Sequence, residues 1–336
     1  MNEWYADAHS NLPSSVIGER ERGRDQVIAE NYLEGMRRGS IGFRVMATIV
    51  DDEYLPELGL RRGLKSVVGM RREIEETDGL ELVTTPEAVE AVEGSGPISV
   101  LLSLEGVEPF AGDLDMVDVF YDLGLRLVTL THARRNAAGD GAFYSPRPSG
   151  KPGGITDFGV DLLRRLEDLG IVIDISHLNE PGFSDVLEFA NGPIIASHSN
   201  CRALADHPRN LTDDAMEAVA STGGVIGVMA IDDFLTGSDH TATIDDFIDH
   251  IEWIVDLIGI DHVCLGLDFF DYLSSYRPEW DPDDLPFGGL AEGLERDADV
   301  ADIGPALRVR GFDDTEINAI AHGNLLRVIG EVLQSA

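Results

Sequence analysis

Side chains able to ligate a metal recur in this chain at the ends of short apolar runs, and that placement constrains the fold more than any other feature. Runs over residues 5–9, 98–105, 125–131, 171–176, 193–197 and 262–268 end in, or lead directly into, His9, Glu105, His132, His177, His198 and Asp268. Two further runs, 42–49 and 223–231, bring the predicted strands to eight. Most are rich in Val, Ile and Leu without clean alternation, as strands buried on both faces are. Helical patterns lie between them. Over 158–169 the apolar positions Phe158, Leu162, Leu163, Leu166 and Leu169 share a face, and Gly170 follows as a stop. Residues 212–221 open on a Thr-Asp-Asp cap, and 244–258 mixes apolar and acidic residues at helical spacing. Strand and helix alternating eight times predict an α/β chain closed as a (β/α)₈ TIM-type barrel, residues 1–336 forming a single domain. No Gly-x-Gly-x-x-Gly element follows the first strand, which argues against a dinucleotide fold. On such a barrel, the C-terminal strand ends are where a metal-dependent hydrolase places its ligands.

Charge excludes several other functions. Asp and Glu number 62 against 25 Lys and Arg, a net charge of −37 over 336 residues. Such a surface repels nucleic acid and anionic membranes. The apolar stretches, 225–231 among them, are too short to span a bilayer, and the N-terminal residues carry no signal pattern; a cytoplasmic protein is expected. Only Lys65 and Lys151 are lysines. This composition points to a halophilic protein, because at molar salt the Debye length falls to about 3 Å and self-repulsion is screened. The two cysteines suggest no disulfide framework; Cys264 is expected in the core and Cys201 near the site. Glycine- and proline-bearing stretches at 133–156 and 269–289 follow site residues and are expected to form loops over the pocket or at a subunit contact.

The motifs carry a resemblance. Asp7-Ala8-His9-Ser10-Asn11-Leu12-Pro13 resembles the Asp-Gly-His-x-Asp-Leu-Pro opening of the membrane dipeptidase (renal dipeptidase) family. Ser103-Leu104-Glu105-Gly106, Leu130-Thr131-His132 with Asn136, Asp174-Ile175-Ser176-His177 and Ala196-Ser197-His198-Ser199 resemble its next four motifs. Arg209-Asn210, Gly266-Leu267-Asp268-Phe269 and the closing Gly323-Asn324-Leu325-Leu326-Arg327 resemble its last three. Each motif is weak alone; together, in order at strand ends, they are specific.

The resemblance implies a zinc dipeptidase acting on small dipeptides, including those with D-residue C-termini. Two Zn²⁺ ions are bridged by Glu105, one held by His177 and His198 and the other by His9 and Asn11. Asp268 passes a proton from the attacking water to the leaving amine. His132 binds substrate and stabilises the oxyanion, and Arg209 takes a substrate carboxylate. Homodimers occur among such proteins. Two departures stand out. Asn11 occupies a position where the family has Asp, which removes a charged ligand or leaves Asn11 as a mere cap before Pro13. After the seventh strand, Ala230-Ile231-Asp232-Asp233-Phe234 replaces an Asn-Phe-Tyr run. Another amide, ester or lactam hydrolase on the same barrel, or a metal-impaired binding homologue, are the alternatives. His207 is read as a loop neighbour, and His240, His250, His262 and His322 as structural or surface residues.

Overall fold

The computed structural model describes residues 3–142, 151–272 and 288–334. Among the described residues nine strands run in chain order: β1 (Tyr5–Ser10), β2 (Ile41–Ile49), β3 (Leu80–Leu82), β4 (Ile98–Glu105), β5 (Leu125–Thr129), β6 (Val172–Asp174), β7 (Ile194–Ile195), β8 (Ile226–Val228) and β9 (Val263–Leu265). All pairings between them are parallel, in the order β7-β6-β5-β4-β2-β1-β9-β8. The ring closes between its end strands through an isolated parallel bridge from Ala196 to Ile226. Ala196 donates to the Val225 carbonyl at 3.0 Å, and Gly227 donates to that of Ala196 at 2.8 Å. Eight strands therefore form the nearly closed barrel, of the (β/α)₈ type, that the alternation predicts.

β3 is the unpredicted strand and lies outside the ring. It pairs with the first part of β4 (Ile98 to Val100), and β5 takes over that edge from Leu102. Its three residues include the exposed Glu81, too little for an apolar signal.

Alternate residues of each strand separate two cores, as a barrel requires. Phe43, Leu101, Leu127, Val172, Ile195 and Cys264 cluster inside with Leu325, Val328, Ile329 and Val332 of the C-terminal helix Asn324–Gln334. That amphipathic helix plugs the end of the barrel where the strands begin. The other parity packs under the surrounding helices. Thr156 caps Asp157–Asp168 and Thr212 caps Asp213–Ser221, each accepting an N–H three residues on, while Thr243 and Asp246 form a capping box on Ile244–Ile258.

The strands that carry ligands are shorter than their apolar runs. The run 171–176 contains only Val172–Asp174 as strand, 193–197 only Ile194–Ile195, and 262–268 only Val263–Leu265. Two residues past each of these points a side-chain carboxylate takes the backbone N–H, of Ser176 and Ser197 by Asp174 and of Leu267 by Asp7, so the ladder is broken before each ligand candidate. Gly266 permits this: a Cβ there would lie 1.7 Å from the Ser197 carbonyl oxygen, so only glycine lets β9 approach the His198 segment.

Loop residues 143–150 and 273–287 of the two predicted loops lie outside the described residues. The described part of the first loop reaches the mouth, where Ala142 donates to the His177 carbonyl at 2.5 Å and Gly141 bridges Leu178. Arg135 and the Gly153 N–H both bind the buried carboxylate of Asp140 and tie the loop down. Among the described residues, no helix is long and apolar enough to cross a membrane.

Candidate metal centre

His9, Glu105, His177, His198 and Asp268 are brought together at the C-terminal mouth from β1, β4 and the segments after β6, β7 and β9. Glu105 is central and buried. Its Oε1 lies 3.0 Å from His177 Nε2, 3.6 Å from His198 Nε2 and 3.7 Å from His9 Nε2. His9 Nε2 is also 3.6 Å from Asp268 Oδ1. Two sets offer ligand atoms within 4.8 Å of one another: His9, Glu105 and His198, and Glu105, His132 and His177. Glu105 belongs to both, as a bridging ligand must. The division differs from the sequence expectation, which pairs His177 with His198. The ring of His198 lies 3.8 Å from that of His9 and 4.9 Å from that of His177.

The donor atoms fit metal ions. His9 Nε2, His198 Nε2, Glu105 Oε2 and Asn11 Oδ1 are buried with no hydrogen-bond partner among the described residues. Buried polar atoms without partners are costly, and a cation among them would satisfy all four. Burial, reinforced by Arg209 and neighbouring imidazoles, holds His177 and His198 well below the ordinary imidazole range, so both rings are neutral at pH 7 and able to ligate. Burial works against ionisation of Glu105, but the surrounding histidines and Arg209 outweigh it and hold its carboxyl at about 2. Asp268 has the opposite balance: burial, with Glu105 adding like-charge repulsion against His9 and Arg209, pushes it up to about 7. Two carboxyl groups driven apart in this way leave one a fixed anion at neutral pH and the other able to take up or release a proton there.

Backbone strain marks the same residues. His177 (φ 64°) and Asp268 (φ 53°) are in the left-handed region that non-glycine residues avoid. Buried carboxylates below them hold this geometry. Asp7 accepts the N–H groups of His9 (3.2 Å) and Leu267 (2.9 Å), tying β1 to the approach to Asp268. Arg44, fully buried, pairs with Asp7 at 3.1 Å and with Asp297 at 2.6 Å. Asp174 plays the matching part between β6 and β7. The strand-end pattern gives no sign of these roles for Asp7, Arg44, Asp174 or Asp297. An arginine inside the apolar run 42–49 was the available signal, since a buried charge needs a partner.

Asn11 occupies the N-cap position of helix Leu12–Glu21 but its side chain makes no capping bond. Its Nδ2 donates to Asp268 Oδ1 at 3.4 Å, and its Oδ1 is one of the four partnerless atoms. It faces the centre and is not merely a loop cap. The His132 ring lies against that of His177, tilted to it, with centroids 4.4 Å apart. Arg209 is buried, donates to the His198 carbonyl at 3.1 Å and sits over the Phe234 ring. His207 contacts the same ring and accepts the Arg209 N–H. The acids of the 230–234 run are occupied locally: Asp232 accepts the Ala242 N–H at 2.8 Å and Asp233 accepts the Ser238 hydroxyl at 2.6 Å. Cys201 is buried against His250, its N–H donating to Nδ1 and its thiol to the carbonyl, rather than lining the mouth. His250, His262, His240 and His322 all have structural partners: Leu235, Gly224, Asp246 and the Trp4 ring.

Among parallel barrels, those that gather imidazoles around a shared carboxylate at the strand ends are metal-dependent hydrolases, and this chain is one of them. The family model for membrane dipeptidase (peptidase family M19) matches residues 4–336, and the chain belongs to that family of metallo-dipeptidases. An uncharacterised dipeptidase of Schizosaccharomyces pombe is 32% identical over 286 residues, covering 78% of this chain and 68% of that protein. Dipeptidase verJ of Clonostachys rogersoniana is 27% identical, covering 97% and 83% respectively. Among solved structures, dipeptidase AC superposes with a TM-score of 0.86 at 23% identity, covering 98% of both chains. A metallopeptidase from Rhodobacter sphaeroides, liganded with a phosphinate mimic of L-Ala-D-Ala, superposes with a TM-score of 0.84 at 22% identity, covering 98% of this chain and 99% of its own. These last two likenesses are of fold.

Proposed function

We propose that this chain is a zinc dipeptidase that binds two ions and cleaves free dipeptides, those with a D-residue at the C-terminus included. The observation that carries the reading is Glu105, buried and shared by two three-residue sets of potential ligands, with His9 Nε2, His198 Nε2 and Glu105 Oε2 buried and without a hydrogen-bond partner among the described residues. The L-Ala-D-Ala mimic bound by the Rhodobacter sphaeroides protein supports the stereochemical part. Neutral imidazoles with a carboxylate suit zinc better than harder ions.

In this reading His9, Asn11, Glu105, His177 and His198 hold the ions. Bound zinc supplies a water acidic enough to attack at neutral pH and polarises the scissile carbonyl. The remaining work belongs to the protein. Asp268, raised to about 7, can accept a proton from the attacking water and return it to the departing amine nitrogen without a large free-energy penalty in either direction. His132, neutral because burial lowers its pKa, donates a hydrogen bond to the carbonyl oxygen as negative charge develops there. Arg209 receives the substrate carboxylate, its guanidinium held by the His198 carbonyl. Ala142 lies on the His177 side, its N–H donating to the His177 carbonyl.

We extend the reading to a single domain over 1–336, supported by one continuous sheet and a family match over 4–336, and to a saline cytoplasm, supported by the charge of −37. The test is metal analysis together with a substrate panel in molar KCl. Two zinc ions per chain and turnover of Xaa-Gly and Xaa-D-Ala are expected. Turnover of N-acylated amino acids or lactams alone would transfer the chain to another hydrolase class, and a metal-free, inactive protein would end the enzymatic reading.

A further inference from the structure

Asp174 lies within the barrel directly below the ligands and is fully buried. Its carboxylate takes four hydrogen bonds. Oδ1 accepts the backbone N–H groups of Ser176 at 3.0 Å and Ser197 at 2.8 Å. Oδ2 accepts the hydroxyls of Thr129 and Ser197, each at 2.6 Å. Asp174 is the acceptor in all four bonds, so the single proton of the Ser197 hydroxyl points at Asp174. The same Ser197 oxygen lies 2.7 Å from His198 Nδ1. With its proton committed, that oxygen can only accept from the ring, so Nδ1 carries the hydrogen. A neutral imidazole protonated on Nδ1 has its lone pair on Nε2. His198 Nε2 is the buried, partnerless atom 3.6 Å from Glu105. Ser176 completes the cradle: its hydroxyl oxygen accepts the His198 backbone N–H at 3.1 Å and stands 3.3 Å from that of Ser197.

We propose that Asp174 is a positioning residue that acts through Ser197 to hold His198 in the Nδ1–H tautomer and so present its Nε2 lone pair to the metal centre. The inference rests on the reading of His198 as a ligand and adds the residues that prepare it. A carboxylate contacting a ligating histidine directly fixes its tautomer in many metal sites; here a serine hydroxyl is interposed. The carboxylate therefore stays inside the barrel, where it also joins the ends of β5, β6 and β7.

The test uses the full chain labelled with ¹⁵N-histidine. Long-range proton–nitrogen spectra of the chelator-treated protein report the tautomer of each ring, and competition with a chromophoric chelator reports zinc affinity. In Asp174→Asn the new amide donates where Oδ2 accepted, the Ser197 proton turns toward His198, and the ring inverts to Nε2–H. Zinc affinity is expected to fall roughly 10–100-fold, as for other losses of the groups behind metal ligands. Ser197→Ala removes one hydroxyl, should leave the tautomers mixed and should lower affinity within the same range; Ser197→Thr should restore both. Thr129→Val takes a donor from Asp174 without touching the relay, so it should keep the tautomer and the affinity even if its melting temperature falls. Retention of Nδ1–H with unchanged affinity in both Asp174→Asn and Ser197→Ala overturns the proposal, as does inversion in Thr129→Val. If zinc leaves the wild-type His198 Nε2 resonance untouched, the metal reading of His198 fails, and the tautomer spectra judge the relay separately.

Discussion

Replacing Asn11 by Asp tests the least conventional ligand of the centre. In the metal-free protein the Asn11 amide donates to Asp268 across 3.4 Å. Asn11→Asp removes that bond and opposes two carboxyl groups over the same distance. Loss of a hydrogen bond to a charged group alone costs about 1.5–3 kcal/mol. Two unit charges 3.4 Å apart repel by about 5 kcal/mol at an effective dielectric constant of about 20. Proton sharing between the acids keeps the loss below the sum of these figures. We therefore expect the chelator-treated variant to melt roughly 4–10 °C below the wild type, at about 2 °C per kcal/mol for a chain of this size. Zinc should reverse the order of effects, because a charged oxygen ligand replaces a neutral one and the cation relieves the repulsion. Each tenfold gain in zinc affinity adds about 1.4 kcal/mol to the stabilisation at saturating metal. The assay is a thermal melt at fixed KCl, with chelator and across a zinc series. The zinc-induced rise must be larger in Asn11→Asp than in the wild type. Equal rises, or a chelated variant as stable as the wild type, would refute the placement of Asn11 against both Asp268 and the metal.

His177→Ala should reduce the bound metal by at least one ion per chain and lower kcat by about 10³-fold or more, a loss comparable to removal of a main electrostatic group; full metal content by elemental analysis would contradict its assignment. Melting temperature should rise steeply across a KCl series, because 62 acids against 25 bases repel at low ionic strength; a salt-independent midpoint would remove the halophilic reading. For Asp246, burial raises the carboxyl pKa, but hydrogen bonds from Thr243 and His240 outweigh it and hold the folded value below the ordinary one. Its stabilisation is thus complete above the unfolded value of about 3.9 and is lost as pH falls through the depressed folded value. Asp246→Asn should melt lower than the wild type at pH 7, and the two should converge in acid; a gap that widens in acid would contradict the capping geometry.

Much of this protein is determined by sequence alone, because apolar runs and caps act locally. The run 98–105 coincides with β4 and the pattern over 244–258 with helix Ile244–Ile258, since burial on both faces in one case and a Thr243–Asp246 capping box in the other leave few alternatives. His9, Glu105, His177, His198 and Asp268 could be singled out for the same reason: a polar side chain that closes an apolar run must find either a partner or a metal. What the run cannot encode is where the strand stops. Beyond β7 and β9 the N–H groups of Ser197 and Leu267 go to the carboxylates of Asp174 and Asp7 instead of a neighbouring strand's carbonyl, contacts between residues as much as 260 positions apart. Ligand grouping is equally non-local. His198 lies nearer His9 than His177 because ring closure between Ala196 and Ile226 brings β7 round toward β1. Arg44 in an apolar strand, Ser197 between an aspartate and an imidazole, and Asn11 turned from its cap toward Asp268 acquire their roles only when the barrel closes. The order of residues sets the kinds of atoms available at each strand end; tertiary structure decides which of them face one another, because hydrogen bonds and charges act over a few ångströms in space rather than along the chain.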